Sequence, residues 1–419
     1  MREMKDSGIS WVGEIPKEWT IMPLYCFYSE RKNKNIFGAE NNLLSLSYGK
    51  VMRKDINTSE GLLPSNYNGY NIVEAGDIII RPTDLQNDKR SLRTGLSKER
   101  GIITSAYIAL KPKNGINSRF YHYLLHTYDI LKVFYNMGNG VRQGLNYDEF
   151  AKLMVYSPSD IEQQRIAEFL DRACGKIDGL KADIQAQIDT LEQYKRSVIT
   201  EAVTHGLNSS VPMKDSGIPW VGEIPAKWAV LPIYCVYGER KRKNVFGTEQ
   251  NLLSLSYGNV IRKDINTNGG LLPSNYNGYN IIEKNDIIIR PTDLQNDRTS
   301  LRTGLVKEHG IITSAYIALK PKNRVSSKFY HYLLHSYDVK KVFYNMGNGV
   351  RQGLNYGEFA KLMVYYPPLD EQQEIADYLD SKCSEIEQII ADKKSQIETL
   401  DGYKKSLIFE YVTGKKEVV

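Results

Sequence analysis

The sequence predicts an α+β protein built twice, with two globular domains separated by a long antiparallel two-helix coiled coil and related by pseudo-two-fold symmetry. The first supporting observation is an internal repeat, because the chain shifted by 209 residues falls onto itself without a gap. Between residues 43–114 and 252–323, only 11 of 72 positions differ. The second supporting observation is that each repeat changes from short strand-like runs to one long helical pattern. Two copies of this length do not suit a solenoid or a propeller.

The globular part of each repeat has the composition of a mixed domain. Residues 77–81 and 105–110 are short strand-like runs bounded by turn residues, and residues 61–69 have loop composition. A helix is predicted over residues 120–135. These elements predict a curved sheet with at least one helix, although the pattern does not give the strand order.

A capping box, Ser159-Asp160-Ile161-Glu162, opens the helical part of the first repeat. Beyond it a heptad pattern runs in both copies. Its core positions, with those interleaved at three, are Ile177, Ile184, Leu191 and Val198 with Leu180, Gln187 and Tyr194, then Ile386, Leu400 and Leu407 with Ile389, Gln396 and Tyr403. Lys393 interrupts the second series. Each helix of about 40 residues would be roughly 60 Å long.

Chain reach favours an antiparallel arrangement of the two helices. The linker 205–212 spans at most about 28 Å, so the second domain begins where the first helix ends. Antiparallel pairing then places the domains at opposite ends, related by a two-fold axis across the helices. We therefore divide the chain into four segments. These are a first domain 1–156, a central helix 157–206, a second domain 207–365 and a C-terminal helix 366–419.

Composition narrows the class of protein. The four cysteines occupy two unique positions and form no CxxC pair, so neither a disulfide framework nor a zinc knuckle is indicated. We expect a soluble, cytoplasmic protein without a membrane partner, since no signal segment and no 18-residue apolar run is found. Two identical binding heads suit a two-fold symmetric target such as double-stranded DNA. The net charge of +6 is compatible with DNA binding but does not demonstrate it.

The run 81–88, repeated at 290–297, is the densest set of side chains able to read bases. Arginine pairs with guanine, asparagine or glutamine with adenine, and aspartate accepts a hydrogen bond from cytosine. The base-reading candidates are Arg81, Thr83, Asp84, Gln86 and Asn87, with Arg290, Thr292, Asp293, Gln295 and Asn296. The alternative is a hydrogen-bonded loop that only closes the fold.

A second set of basic residues suits the phosphate backbone, which fixes register without reading sequence. The DNA-backbone candidates are Arg31, Lys32, Lys34, Arg53, Lys54, Arg93 and Arg142, with Arg240, Lys241, Lys243, Arg262, Lys263, Arg302 and Arg351. For the run 31–35 the alternative is a solvated turn.

No catalytic centre, metal site or cofactor site is predicted on this chain. His122 and His126 have a spacing that can bind zinc, but the pattern lacks HExxH and a third ligand, so a structural role is predicted. Asp84, Asp88 and Lys89 are too closely spaced for a nuclease centre, and the second copy replaces the lysine by arginine. The glycine turn and adenine clamp of a methyltransferase are also missing from the sequence.

Five motifs together carry a resemblance to a known family. They lie at residues 13–19, 81–88, 101–107, 138–145 and 162–167, and each returns 209 residues later. Over nearly the whole chain, the protein resembles the specificity subunit of type I restriction–modification systems.

The resemblance implies two target recognition domains held apart by two helices that act as a ruler. Two methyltransferase subunits, which bind S-adenosylmethionine and methylate adenine, would sit on the helices, and restriction subunits would join them. The specificity subunit itself would do no chemistry. The candidates for contact with the methyltransferase subunits are Glu162, Gln163 and Gln164, with Glu371, Gln372 and Gln373.

The near identity of the two domains departs from the family pattern, in which the domains usually differ. Combined with the two-fold axis, it predicts an interrupted palindrome with half-sites roughly one helical turn apart. The changes from Lys50 to Asn259 and from Arg90 to Thr299 leave slightly unequal half-sites open. Two other hypotheses are a DNA-modifying enzyme with its own active site and a structural coiled coil whose heads bind protein.

Overall fold

The computed structural model describes residues 2–57, 66–83, 85, 92–137, 144–264, 275–292, 294, 301–342, 346 and 353–418. The chain forms two compact units. The first comprises Met1–Ile184 with Ser395–Val419, and the second comprises Gln185–Lys394. Each unit therefore combines one globular domain with a segment of each of two long helices.

The two units contain the same series of elements. The strands of the first are β1 (Met4–Asp6), β2 (Glu14–Pro16), β3 (Thr20–Pro23), β4 (Tyr28–Glu30), β5 (Leu44–Ser47), β6 (Lys50–Arg53), β7 (Asn71–Val73), β8 (Ile78–Ile80), β9 (Thr94–Leu96), β10 (Gly101–Ile103), β11 (Ile108–Pro112) and β12 (Met154–Ser157). Those of the second are β13 (Met213–Asp215), β14 (Glu223–Pro225), β15 (Ala229–Pro232), β16 (Tyr237–Glu239), β17 (Leu253–Ser256), β18 (Asn259–Arg262), β19 (Asn280–Ile282), β20 (Ile287–Ile289), β21 (Thr303–Leu305), β22 (Gly310–Ile312), β23 (Ile317–Pro321) and β24 (Met363–Tyr366). The helices are α1 (Ser118–Ile130), α2 (Tyr147–Phe150), α3 (Asp160–His205), α4 (Ser327–Val339), α5 (Tyr356–Phe359) and α6 (Leu369–Val412).

A four-stranded antiparallel sheet in the order β4-β11-β8-β9 forms the centre of the first domain. Shorter ribbons β1-β2, β3-β12, β5-β6 and β7-β10 surround it. The second domain has the same sheet in the order β16-β23-β20-β21. The predicted strands at 77–81 and 105–110 are confirmed as β8 and β11, and the α+β class is confirmed with them.

The central strand β8 is buried on both faces of the sheet. Successive side chains of a strand point to opposite faces. Ile78 and Ile80 accordingly join the cluster that contains α1, whereas Ile79 joins a second cluster with Leu46 and Val73. All three isoleucines have no exposed surface. This double burial explains why the strand reads as an uninterrupted apolar run rather than an alternating one.

Helix α1 covers one face of the sheet and is shorter than predicted. The side chain of Asn117 caps its start by accepting hydrogen bonds from the backbone amides of Arg119 and Phe120. The predicted helix over 120–135 is wrong beyond Ile130, where α1 ends. Lys132 adopts a left-handed backbone conformation with φ of 59°, which α-helical geometry excludes, and a 3₁₀ turn follows at Val133–Asn136.

The heptad prediction identified the long helices but placed the interleaved positions on the wrong side. Leu180 and Tyr194 are both 54% exposed, whereas Ile188, four residues after Ile184, is buried. The same offset appears in α6, where Ile390 is buried and Ile389 lies at the surface. The packed stripe thus combines spacings of three and four, as in helices that pack against a globular domain.

Several half-buried lysines lie along this packed stripe and pair with polar residues of the other helix. In the first unit Lys404 contacts Asp178 at 2.7 Å, and Lys181 contacts Asp401. Because a later residue of α3 pairs with an earlier residue of α6, the two segments run antiparallel within this unit. The aliphatic stems of such lysines cover apolar surface while the ammonium groups reach the edge.

The second unit contains the corresponding helix pairing. Lys195 contacts Glu387, and Lys393 donates a hydrogen bond to Gln187 at 2.5 Å. The segments of α3 and α6 therefore run antiparallel in this unit also. Whether they form one continuous coiled coil with a two-fold axis stays a prediction.

We expect Gly101→Ala to destabilise the first domain by about 1–3 kcal/mol, the usual cost of overpacking a well-packed core. A Cβ atom at this position would lie 2.5 Å from the backbone oxygen of Asn42, which has no room to move. Gly69→Ala is the matched control, because a Cβ atom there meets nothing within 4 Å. Amide hydrogen exchange in β7 and β10 measures the local free energy of opening. Equal protection in the two variants would contradict the close approach.

Candidate nucleic-acid interface

One end of the central sheet brings the two groups of predicted DNA contacts together. β8 ends at Ile80, which pairs with Ile108 at the start of β11. On the other side of β11, the backbone amide of Arg31 donates to the carbonyl of Ala109 at 2.8 Å. Lys32 and Arg81 therefore follow two strands that flank the same start of β11. We call this region, Arg31, Lys32 and residues 81–83 with the start of β11, the sheet end.

In the second domain the sheet end borders a cleft of about 410 Å³. Lys241 lines one side of the cleft and Pro291, which follows Arg290, lines another. The wall also includes Tyr316, Asn355 and Glu239, the carboxylate that pairs with Lys241 at 2.9 Å. An open cleft with a lysine, an aromatic ring and an amide on its wall offers charge, stacking and hydrogen-bonding groups to a ligand.

The first residues of the base-reading run are positioned by the sheet itself. The backbone amide of Arg81 donates to the carbonyl of Arg93 at 2.9 Å, and the side chain of Arg81 is half-buried. Thr83 follows and is exposed. Arg290 and Thr292 take the same positions in the second domain. The remaining base-reading candidates, Asp84, Gln86, Asn87, Asp293, Gln295 and Asn296, lie outside the described residues.

Arg93 and Arg302, predicted to contact phosphates, have no exposed surface. The Arg93 guanidinium donates to the backbone carbonyl of Thr83, inside the base-reading run, and lies 5.6 Å from the ring centroid of Tyr135. Arg302 donates in the same way to Thr292. These buried side chains hold the first residues of the run from within and are not exposed at the surface, which sequence alone does not reveal.

The same sheet end contains a buried ion pair. Arg31 donates from Nη2 to Oδ1 of Asp77 at 2.9 Å, and Asp77 also accepts a hydrogen bond from the backbone amide of Glu74 at 2.8 Å. Burial raises the pKa of the Asp77 carboxyl, and the Arg31 guanidinium works against that shift. Arg240 and Asp286 repeat the pair. The structure therefore holds both arginines in internal contacts rather than leaving them at the surface.

The other basic candidates are exposed and make surface contacts. Lys32 and Arg53 have 73% of their side chains exposed, and they pair with Glu30 and Glu99. Lys34 donates to a backbone carbonyl at 3.0 Å. The exposed set is completed by Lys54, and in the second domain by Lys241, Lys243, Arg262 and Lys263. Surface ion pairs contribute little, so these cations can exchange carboxylates for phosphates. Arg142 and Arg351 lie outside the described residues.

The three residues of the first Glu-Gln-Gln motif have different environments. Glu162 accepts a hydrogen bond from Nε1 of Trp19 at 3.0 Å, and Gln163 is buried and donates to the carbonyl of Pro158 at 3.0 Å. Gln164 is exposed and donates to Glu168. The first two residues thus attach the domain to the start of α3.

The second motif repeats this division. Glu371 accepts a hydrogen bond from Trp228 at 3.0 Å, Gln372 is buried, and Gln373 is exposed. Among the candidates for contact with a partner subunit, the structure therefore presents Gln164 and Gln373 most fully to solvent.

The two histidines of α1 are half-buried. Burial lowers the pKa of His122 to about 3 and that of His126 to about 4, so both side chains are neutral near pH 7. Among the described residues, no three or more histidine, cysteine, aspartate or glutamate side chains form a group that could hold a metal ion.

Exposed apolar residues in a loop of each domain were missed by sequence reasoning. Ile36 and Phe37 are 64% and 93% exposed, and Val245 and Phe246 repeat this exposure. The sequence did contain a signal for this exposure. An apolar pair follows the basic run 31–35 directly, and the glycine after the pair indicates a turn.

The two domains differ in one polar cluster near this loop. Arg100 pairs with Glu40 at 2.9 Å and with Glu74 in the first domain. In the second, His309 takes its place and contacts Glu249 and Glu283, each at 2.8 Å. The hydrogen bond to Glu283 is the main reason that the pKa of His309 is raised above its ordinary value.

Comparison with known proteins identifies the family. The family described as "Type I restriction modification DNA specificity domain" matches the chain twice, over residues 31–190 and 240–399. The chain belongs to this family. The two matched segments cover more than half of the 419 residues and coincide with the internal repeat.

The chain is also similar to individual proteins, in sequence or in fold. The chain is 22% identical over 425 residues to the "Putative type I restriction enzyme MjaX specificity subunit" of Methanocaldococcus jannaschii, covering 97% of this chain and 96% of the relative. A solved chain, described under "Structural basis underlying complex assembly and conformational transition of the type I R-M system", has a TM-score of 0.69 at 12% identity, covering 96% and 99% of the two chains. The HsdS subunit from Thermoanaerobacter tengcongensis has a TM-score of 0.47 at 12% identity, covering 96% and 98%.

Family membership confirms two predictions made from the sequence. The chain is a DNA-specificity subunit of the type I restriction–modification class, with two target recognition domains. Such subunits recognise DNA without catalysing a reaction, so the chain is not itself an enzyme. In the described part of the chain, no helix is long and apolar enough to cross a membrane.

We expect the loop at 244–249 to lose protection as the pH rises, whereas the loop at 35–40 does not. A raised folded-state pKa means that the stabilisation by His309 is fully present below about pH 6.5 and is lost as the pH rises through the folded value. An arginine side chain, which the first domain has at this position, does not titrate in this range. Because 47% of the His309 side chain is exposed, solvent screening keeps the effect small.

Hydrogen exchange of both loops between pH 5.5 and 8.5, corrected for the intrinsic exchange rate, measures this difference. The matched variants exchange the two residues, since His309→Arg should remove the pH dependence and Arg100→His should install it in the first domain. A pH dependence that persists in His309→Arg would show that another group is responsible.

Proposed function

We propose that this chain reads an interrupted palindrome in double-stranded DNA, with each domain bound to one half-site, and that it directs adenine methyltransferase and restriction subunits to that site. The observation that carries the proposal is the equivalence of the two domains, contact by contact. Arg31 with Asp77 and Arg240 with Asp286 make the same 2.9 Å contact. Two equivalent readers favour two equivalent half-sites.

Each sheet end would provide both kinds of DNA contact. Arg81 and the run that follows it would enter a groove, because a guanidinium pairs bidentately with guanine. Lys32 at the sheet end, with Lys34 and Arg53 elsewhere in the domain, would contact phosphates and fix the register. The buried Arg93 would act as a positioning residue, since it holds the backbone of the run by the Thr83 carbonyl.

The long helices would form the coiled coil that sets the distance between the half-sites. The antiparallel helix segments found within each unit support this arrangement and its two-fold axis. The exposed Gln164 and Gln373, near the starts of α3 and α6, would contact one methyltransferase subunit each. Those subunits would bind S-adenosylmethionine, and this chain would carry no cofactor.

Small differences between the domains would make the half-site affinities unequal. Asp148 lies close enough to Lys32 to raise the pKa of that amine, after the larger effect of Glu30. The second domain has Gly357 at the position of Asp148. Lys241 therefore has one fewer carboxylate nearby, which favours phosphate binding in the second domain.

A genome-wide map of methylated adenine tests the proposed function directly. Cells producing the chain with its methyltransferase subunit are compared with cells that lack the chain. We expect methylation of an interrupted palindrome only when the chain is present. Methylation at a split site with unrelated halves would refute the symmetric site, and chain-independent methylation would refute the role in targeting.

We also expect the fragment 1–206 to form a homodimer. In the full chain, Leu407, Ile408 and Val412 complete the core of the first domain. The fragment lacks them, but its own residues 186–203 correspond to 395–412 by the 209-residue shift and can take their place on a second copy. Light scattering after size-exclusion chromatography measures the mass.

The control is Val203→Asp in the same fragment, since Val203 corresponds to Val412 and would be buried in the dimer. A charged group left unpaired in a core is strongly disfavoured, so this variant should be monomeric. A monomeric wild-type fragment would contradict the interchangeability of the two helix segments.

A further inference from the structure

Each domain presents an apolar pair at the tip of a loop that protrudes into solvent. Phe37 is 93% exposed and Phe246 is 89% exposed, with Ile36 and Val245 beside them at 64% and 60%. A single exposed apolar residue is common on protein surfaces. Here a large aromatic residue and its aliphatic neighbour are exposed together, and both copies of the repeat keep the arrangement.

The loop that carries Phe37 is built to hold one conformation. The buried side chain of Asn35 donates to the carbonyl of Glu40 at 3.0 Å and accepts a hydrogen bond from the amide of the same residue at 3.1 Å. The amide of Gly38 donates to the carbonyl of Asn35 at 2.9 Å. Gly38 has φ of 60°, the left-handed conformation that glycine adopts without strain.

The second domain repeats this construction with different neighbours. Asn244 makes the same pair of hydrogen bonds to Glu249, at 2.9 and 3.2 Å, and Gly247 has φ of 63°. In the two domains the loop is fastened further by the ion pairs of Arg100 and of His309 described above. An exposed side chain on so constrained a turn has a fixed position, which suits contact with a binding partner.

Exposed positive charge precedes the apolar tip along the chain. Lys32 and Lys34 precede Phe37, and both are exposed. In the second domain the corresponding run gains Arg242, 66% exposed, where the first domain has Asn33. Exposed cations next to an aromatic tip complement a partner with anionic groups outside and apolar stacking surfaces inside. Duplex DNA has this distribution, with phosphates along its edges and stacked bases between them.

The tip also lies close to the sheet end along the chain. The five-residue step from Lys32 to Phe37 spans at most about 18 Å, so one DNA segment can contact both. Proteins that insert phenylalanine, leucine or isoleucine between base pairs unstack one step and bend the duplex. The geometry and charge of these loops match that use.

We propose that Phe37 and Phe246 are apolar wedges, each of which enters a base-pair step of the DNA beside the bases read by its domain and unstacks that step. The proposal rests on the proposed function, since it assumes that the domains bind duplex DNA. The strength of a wedge contact depends on how easily the base-pair step is deformed, not on the hydrogen-bonding pattern of the bases. Steps that unstack readily, such as TA and CA, are therefore favoured at that position.

The test uses the full chain assembled with its methyltransferase subunits, without S-adenosylmethionine. The probe is a duplex that carries the mapped site, with the fluorescent base 2-aminopurine at one position at a time. The methylated adenine itself is left unlabelled, because methyltransferases flip their target base out of the stack. Unstacking of 2-aminopurine increases its fluorescence, and we expect one such step in each half-site.

The double variant Phe37→Ala with Phe246→Ala should abolish this fluorescence increase and weaken DNA binding by roughly tenfold for each phenylalanine, as expected for loss of an aromatic contact with a base. Phe37→Leu with Phe246→Leu should retain the increase, since leucine is also an effective wedge. The matched control is Met52→Ala with Ile261→Ala, which removes exposed apolar side chains from β6 and β18 and should change neither readout.

Three outcomes would overturn the inference. The alanine variant could bind and unstack DNA as the wild type does, which would exclude a wedge. It could instead lose assembly with the methyltransferase subunits while the chain keeps its DNA affinity, which would assign the tips to a protein contact. If the wild-type assembly bound no mapped duplex, the proposed function would fail as well, and the two failures are thereby distinguished.

Discussion

Asp129, at the end of α1, accepts hydrogen bonds from the backbone amide of Thr94 at 3.1 Å, from the hydroxyl of Tyr135 at 3.1 Å and from the backbone amide of Arg93. The carboxyl is fully buried, and burial raises its pKa. Its position joins the helix to the edge strand β9 of the sheet, and through Arg93 it reaches the base-reading run. The local geometry of the candidate interface thus depends on a buried acid that makes no contact with solvent.

The attachment between each domain and its long helix depends on a second acidic residue. Glu162 and Glu371 open the two helices and each accepts a hydrogen bond from a buried tryptophan. Because the tryptophan lies in the domain core, a movement of the helix start is transmitted to the core rather than absorbed by a linker. Each domain core is in this way attached directly to the first turn of its long helix.

The sequence was sufficient for the repeat, the main strands and the family, because each depends on local pattern or direct identity. It was insufficient for the roles of individual arginines. Arg31 pairs with Asp77, which is 46 residues away, so no local spacing distinguishes it from the exposed Lys32. Within the base-reading run only residues 81–83 and Leu85 are described, so the base-reading role of the other residues stays a prediction.

The long helices show a different limit of sequence reasoning. Spacings of three and four both occur in a helical stripe, and the choice depends on what the helix packs against. Lys181 and Lys404 occupy packed positions that a search for apolar residues passes over, because their stems are apolar and their charges are paired. Leu180, although apolar, is exposed, because α3 packs through the neighbouring Lys181 instead.

The first domain completes its core with residues from the far end of the chain, whereas the second uses only a continuous stretch. Leu407 and Val412 pack in the same cluster as Val12, while the second cluster lies wholly between residues 198 and 383. Domains generally fold as units during synthesis, but contacts between distant residues must wait until both have been made. The first domain therefore leaves the ribosome with part of its apolar surface uncovered. The first domain to be synthesised is therefore the last to complete its hydrophobic core.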